Sequence, residues 1–189
     1  MNGIILAAGF SRRMGKNKLL MNIGEKAILE KVIGEIKKSD ISNIILVARE
    51  DNVIELGIRE EIQVIKNEFA IYGQSQSIKL GLSRADLNKD FMFFCGDQPF
   101  IDSMSINKLI TESLNCEDKI IVPRVKDKTG SPVIFPKCLK RDLELLEGDI
   151  GGREVIKNNK SKVKYIDIEN ELFLQDIDNI EDYKKFILV

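Results

Sequence analysis

The chain contains no histidine. Serine- or cysteine-centred catalysis that leans on an imidazole base is thereby excluded, as are histidine-ligated metals. Only three cysteines occur, Cys95, Cys116 and Cys138. They are widely spaced and form no CxxC pair, so neither a disulfide framework nor a zinc site is expected. No apolar run approaches the roughly 18–20 residues that cross a bilayer. The start MNGIIL has neither a basic n-region nor a long h-region, so no secretory signal is expected. A cytoplasmic, reducing setting fits these absences. Charge of one sign is not in excess either: 29 Lys and Arg stand against 30 Asp and Glu, a net charge of -1. General nucleic-acid binders carry a large basic surplus. No nucleic-acid or membrane partner is therefore expected.

What the chain does have is enough apolar residue to build a core. Of its 189 residues, 43% are hydrophobic and 31% charged, the balance of a globular protein. No repeat, low-complexity tract or linker divides it, so one domain over residues 1–189 is expected. Short apolar runs at Gly3–Ala7, Asn43–Ala48, Ile62–Lys66, Phe91–Cys95 and Ile120–Val122 read as strands. The first, second and fourth are apolar on both faces, as in the centre of a parallel sheet. Between them lie helical patterns. Glu25–Lys38 aligns Ile28, Val32 and Ile36, and Gln76–Leu87 aligns Ile78, Leu82 and Ala85. A third helix opens with Asp102 as N-cap. Beyond Val122 follow a loop, a short strand near Val133, a helix ending near Gly148, a strand over Lys162–Ile168 and a last helix capped by Asn179. The alternation predicts an α/β fold: a Rossmann-like, doubly wound, mostly parallel sheet with helices on both faces.

One stretch concentrates cations. In GIILAAGFSRRMGKNKLL, the first strand breaks at Gly9, and Arg12, Arg13, Lys16 and Lys18 follow within seven residues. Ligands of open α/β sheets bind beyond the carboxyl ends of the strands, where this segment falls. Gly9 permits a sharp turn, successive amides can form an anion nest, and Arg13 and Lys18 add neutralising charge. A phosphate-rich ligand is implied. Two familiar phosphate loops do not fit. In a Walker A loop the lysine is followed by a hydroxyl residue, but Asn17 follows Lys16. The dinucleotide fingerprint has its second glycine where Ser11 stands.

What fits is LAAGxSxRMGxxK, matched by Leu6, Ala7, Ala8, Gly9, Ser11, Arg13, Met14, Gly15 and Lys18. On these residues the chain resembles the MobA-like nucleotidyltransferases, and within them the molybdenum cofactor cytidylyltransferases. A fold of the nucleotide-diphospho-sugar transferase type is implied. GDQPF after the fourth strand completes the likeness, with Asp97 as a magnesium or manganese ligand and Gly96 beside the nucleotide. Asp178 in DIDNIEDY is the nearest match to a second metal carboxylate, and Asp176 the next. YGQSQSIKLGL resembles the segment that holds base and ribose, through Ser75 and Ser77, with Asn67 nearby. TGSPVIF and EGDIGGREVI resemble the acceptor side, through Gly130, Pro132, Asp149 and Arg153, with Gln98 and Pro99 adjoining. Each group also has a plainer use. Asp97 suits a turn, Ser75 and Ser77 suit a helix start, Asp149 suits the cap of the helix after it, and Asn179 with Asp182 suits a capped helix.

The resemblance implies a reaction in which a terminal phosphate of molybdenum-molybdopterin attacks the α-phosphorus of CTP and pyrophosphate leaves. Arg13, Lys18 and Asp97 would be the catalytic residues. A phosphate monoester, with a second pKa of about 6, needs no strong general base, so the missing histidine costs nothing. The partners implied are CTP and molybdenum-molybdopterin, with a molybdenum hydroxylase apo-enzyme as recipient of the product. Ala8, in LAAG rather than the LAGG usual in guanylyl relatives, points to the smaller pyrimidine. Three other readings stay open: GTP as donor, another phosphorylated metabolite as acceptor, and a non-catalytic carrier of the molybdenum cofactor.

Overall fold

A computed structural model describes residues 1–10 and 17–187. Ser11, Arg13 and Gly15, with Arg12, Met14 and Lys16, lie outside the described residues. In chain order the elements are β1 (Asn2–Ala7), β2 (Asn22–Ile23), β3 (Lys26–Ala27), α1 (Ile28–Lys37), β4 (Asn43–Ala48), α2 (Asp51–Arg59), β5 (Gln63–Lys66), α3 (Gln74–Leu82), β6 (Phe91–Cys95), α4 (Ser103–Leu114), β7 (Ile120–Val125), β8 (Lys128–Thr129), β9 (Val133–Phe135), α5 (Lys140–Glu144), α6 (Gly152–Asn158), β10 (Val163–Asp167) and α7 (Ile180–Ile187).

The main sheet runs in the order β10-β7-β9-β6-β1-β4-β5, with β8 paired to β7. β1 pairs in parallel with β4 and β6, β4 with β5, and β7 with β10. β9 is antiparallel to both β6 and β7. The fold is therefore α/β with a mostly parallel sheet, as the apolar runs predict. The order reverses at β1, which lies between β4 and β6, and that is where an open sheet leaves a crevice.

Side chains in a strand point alternately to opposite faces. Ile4, Ile45, Val47, Phe91 and Phe93 accordingly join a core against α3, α5 and α6. Their neighbours Ile5, Leu46, Ala48, Met92 and Phe94 join the other core, against α1, α2 and α4. Both faces are covered, which is why these strands carry no polar alternation. Ile28, Val32 and Ile36 form the fully buried stripe of α1.

Several boundaries differ from the sequence expectation. Glu25–Ala27 is not helical: Gly24, at φ 67°, turns the β2–β3 hairpin. α1 begins only at Ile28, where the Glu30 carboxylate accepts from the Ala27 amide at 2.7 Å. α3 covers Gln74–Leu82 rather than Gln76–Leu87. The helix expected up to Gly148 shortens to α5, preceded by a 3-10 turn at Lys137–Leu139. β7 reaches Val125 and turns back through β8, where a loop was expected. The caps at Asp102 and Asn179 are as expected: Asp102 accepts from the Ser105 amide at 2.7 Å, and Asn179 from the Glu181 and Asp182 amides at 2.9 Å.

Candidate active site

Three distant segments meet at the carboxyl ends of β1 and β6. A 3-10 turn at Lys18–Leu20 carries Lys18, and Asn17 caps it by accepting from the Leu19 amide at 3.0 Å. The Asn17 side-chain amide donates to Glu50 at 2.7 Å, and Glu50 is also bound by Arg49, whose guanidinium lies 4.4 Å above the Phe10 ring. Residues on both sides of the 11–16 segment thus contact the same pair beyond β4. Asp97 follows β6 directly after Gly96, whose amide donates to the Leu6 carbonyl at 3.1 Å. The terminal segment arrives from the other direction and is held by a 3.0 Å backbone bond from the Ile177 amide to the Asp97 carbonyl.

Lys18 Nζ donates to Asp97 Oδ2 at 2.6 Å and to Asp178 Oδ1 at 3.0 Å. Burial by itself lowers the Lys18 pKa, but the Asp97 charge and the bonds to Asp97 and Asp178 outweigh it, and the net shift is upward. The lysine stays a cation. Asp176 is the third carboxylate here. Burial, then the charge of Asp97, lifts its pKa to about 6. Its Oδ1 has no hydrogen-bond partner among the described residues, and neither has the buried Gln98 Oε1.

Asp97 Oδ2 and Asp178 Oδ1 both reach one cationic nitrogen, so they can also reach one metal ion. Two hard carboxylate oxygens suit magnesium or manganese. Among the described residues no three acidic or cysteine side chains converge as a complete ligand set. A metal here would take its other positions from phosphate oxygens and water, as magnesium commonly does.

Two cavities open beside this cluster. One, of about 650 Å³, is lined by Leu6, Ala8, Gly9, Phe10, residues 70–74, Ser77, Cys95, Asp97, Gly148 and Asp149. A Cβ on Gly9 would meet nothing within 4 Å, and its φ is not left-handed. The glycine therefore leaves room at the cavity mouth rather than permitting a strained turn. The second cavity, of about 520 Å³, includes Phe93, Phe135, Gly130, Ser131, Asp149 and Arg153 in its walls. Leu6, Gln74, Cys95 and Asp149 border both. Cys95 is no nucleophile: burial, helped by the Asp97 charge, pushes its thiol up to about 12.

The other expected residues fall as follows. Ala7 and Gly96 are buried beside the first cavity's walls without lining it. Asn67 is buried, donates to Ser77 Oγ at 2.9 Å and accepts from the Phe69 amide at 2.9 Å. Ser75 is buried with its hydroxyl unpartnered among the described residues. Gln98, Pro99 and Pro132 are buried and line neither cavity. Asp149 does not cap α6, whose N-cap is Gly151. It accepts instead from the Gln74 amide at 3.3 Å, at the start of α3. Gly73 makes that junction possible: its φ is +99°, and a Cβ there would lie 2.2 Å from the Gly148 carbonyl carbon. The YGQSQSIKLGL segment contains Tyr72 and Gln74, but sequence reasoning singled out neither, and it missed the exposed Ile71 beside them at the first cavity. Large apolar residues in the connection between the edge strand β5 and α3 were the available signal.

A lysine bridging two carboxylates, with paired cavities beside it at the switch point of a mostly parallel sheet, lies where open α/β folds bind their ligands. The chain belongs to the MobA-like NTP transferase domain family, which matches residues 3–163. It is 36% identical over 99 residues to a Pelotomaculum thermopropionicum protein named "Probable molybdenum cofactor guanylyltransferase", covering 52% of this chain and 46% of that one. It thus spans under half of that relative. It is 26% identical over 131 residues to 2-C-methyl-D-erythritol 4-phosphate cytidylyltransferase of Halalkalibacterium halodurans, covering 66% and 58%. Among solved structures, the Rv0371c homologue of Mycobacterium sp. strain JC1 shares the fold, with TM-score 0.85, 22% identity and coverage of 99% and 94%. Rv0371C of Mycobacterium tuberculosis, solved in complex with manganese, aligns at TM-score 0.82 and 20% identity over 99% and 97%. Among the described residues, no helix is long and apolar enough to cross a membrane.

Proposed function

We propose that this chain transfers CMP from CTP to the terminal phosphate of molybdenum-molybdopterin and releases pyrophosphate. The observation that carries nucleotidyl transfer is the meeting of Lys18, Asp97 and Asp178, with Asp97 in the wall of the first cavity. The barrier to such a transfer is the approach of one anion to another. Lys18, with Arg13 from the preceding segment, neutralises phosphate charge. Asp97 and Asp178 would hold a divalent cation, magnesium or manganese, which would supply Lewis-acid polarisation of a phosphate. Leu6, Ala8 and Gly9 line the donor cavity, where Ser77 also faces the nucleotide, while Asn67 and Ser75 brace the wall behind it. Gly130, Asp149 and Arg153 border the acceptor cavity, while Gln98, Pro99 and Pro132 are buried and line neither cavity. No side chain needs to act as a strong base, because the acceptor phosphate is largely ionised at neutral pH.

The choice of CTP rests on Ala8, which is buried and lines the donor cavity. The name of the 36% identical relative favours GTP instead. Pyrophosphate release by the purified chain, measured with each of the four NTPs in the presence of molybdenum-molybdopterin, separates the two. CTP-dependent release is expected. Release with GTP alone moves the donor to guanylyl, and release with none of the four while the cofactor still binds supports the carrier reading.

A further inference from the structure

Lys18 stands between carboxylates from distant parts of the chain. Its Nζ is 2.6 Å from Asp97 and 3.0 Å from Asp178, and the three side chains are 14%, 22% and 53% exposed. An ammonium so withdrawn from water needs anionic partners. The partners it has are the two carboxylates assigned above to a divalent cation. The two uses compete. An oxygen turned toward an ammonium is not turned toward a metal, and two cations crowded onto one carboxylate pair repel each other. Removing the ammonium leaves the Asp97 and Asp178 carboxylates with negative charge that a divalent ion would answer.

A route for the ammonium to leave is present. Asp97 lines the 650 Å³ donor cavity, so a triphosphate seated there brings anionic oxygens within reach of a flexible lysine stem. We propose that Lys18 is the built-in counter-cation of the metal site, and that a triphosphate must draw its ammonium off Asp97 and Asp178 before they take a divalent ion. The inference rests on the reading of those two aspartates as metal ligands. Metal and triphosphate then favour each other's binding, and the coupling is reciprocal. The free ion alone binds the protein weakly, which keeps the carboxylates clear until a nucleotide arrives.

The test titrates Mn²⁺ alone into the full-length protein without nucleotide and follows the free-ion signal by electron paramagnetic resonance. Lys18→Met should bind Mn²⁺ on the order of tenfold more tightly than the wild type, the scale for removing one adjacent like charge. Lys18→Arg keeps the charge and should stay near the wild type. Adding Asp97→Asn to Lys18→Met should remove the gain. If Lys18→Met binds no more tightly while Asp97→Asn still weakens binding, the metal site stands and the counter-cation role falls. If Asp97→Asn in the Lys18→Met background changes nothing, the aspartates are not the ligands and both readings fall. Circular dichroism checks folding, and Lys18→Gln carries the same comparison if the methionine variant does not fold.

Discussion

The backbone amide of Ile177 donates to the carbonyl of Asp97 at 3.0 Å. Ile177 is fully buried in the core, so its neighbours Asp176 and Asp178 are presented at the rim of the same site. One main-chain bond thus registers the terminal segment against the loop after β6. Asn170 strengthens the join by donating to the Phe100 carbonyl at 2.9 Å and to Asp102 at 2.8 Å.

Asp97→Asn keeps the shape of this join and removes the charge. Turnover should fall by ~10²–10³, the scale for losing one group that stabilises the transition state. Pyrophosphate release, with circular dichroism to confirm folding, measures it. Turnover at the wild-type level would remove Asp97 from the catalytic set.

Ala8→Gly tests the donor base. The methyl group lies in the wall of the donor cavity, and one such group in a pocket is worth ~10-fold in discrimination. The ratio of kcat/KM for GTP to that for CTP should rise by about that factor. An unchanged ratio would mean that the base is read elsewhere.

Asp176 makes stability depend on pH. Its folded pKa, about 6, lies above its ordinary value of 3.8, because burial and the Asp97 charge favour the protonated acid. Its contribution to stability is therefore fully present below about pH 4 and is lost as pH rises through 6. Asp176→Asn should stabilise the protein at pH 7 by about 1 kcal/mol, a figure discounted because the group is only partly shielded from water. It should also flatten the fall in Tm between pH 4 and 6. Melting curves across that range check both, and an unaltered slope would contradict the assignment.

Gly73→Ala should disturb the junction between the two cavities. The position is left-handed, and the added carbon would collide with the Gly148 backbone. A cost of about 1–3 kcal/mol is expected, together with a raised KM for both substrates. A melting scan and steady-state kinetics with each substrate varied measure these effects.

Much of this was legible in the chain. β1, β4 and β6 announce themselves because strands covered on both sides carry no polar alternation. Asp102 and Asn179 were readable as caps because an acceptor before a helical stripe has one obvious use. The meeting of Lys18 with Asp97 and Asp178 agrees with motif positions after β1, after β6 and before α7. Three features were not legible. β9 contributes only Val133–Phe135 and runs against its neighbours, and three apolar residues specify no direction. The β2–β3 hairpin is two residues on each side, too short for a period to register. The bond from the Gln74 amide to Asp149 joins residues 75 positions apart, so local pattern could only assign Asp149 to the nearer helix.

Leu6, Gln74, Cys95 and Asp149 serve as a party wall between the two chambers. A change at any of them is felt on both sides at once, so on the proposed assignment donor and acceptor preference cannot be retuned there independently. Divergence toward a new acceptor has freer ground at Arg153 and Gly130, which touch only one chamber. Drift toward a new nucleotide has it at Ala8 and Ile71, on the far side of the partition.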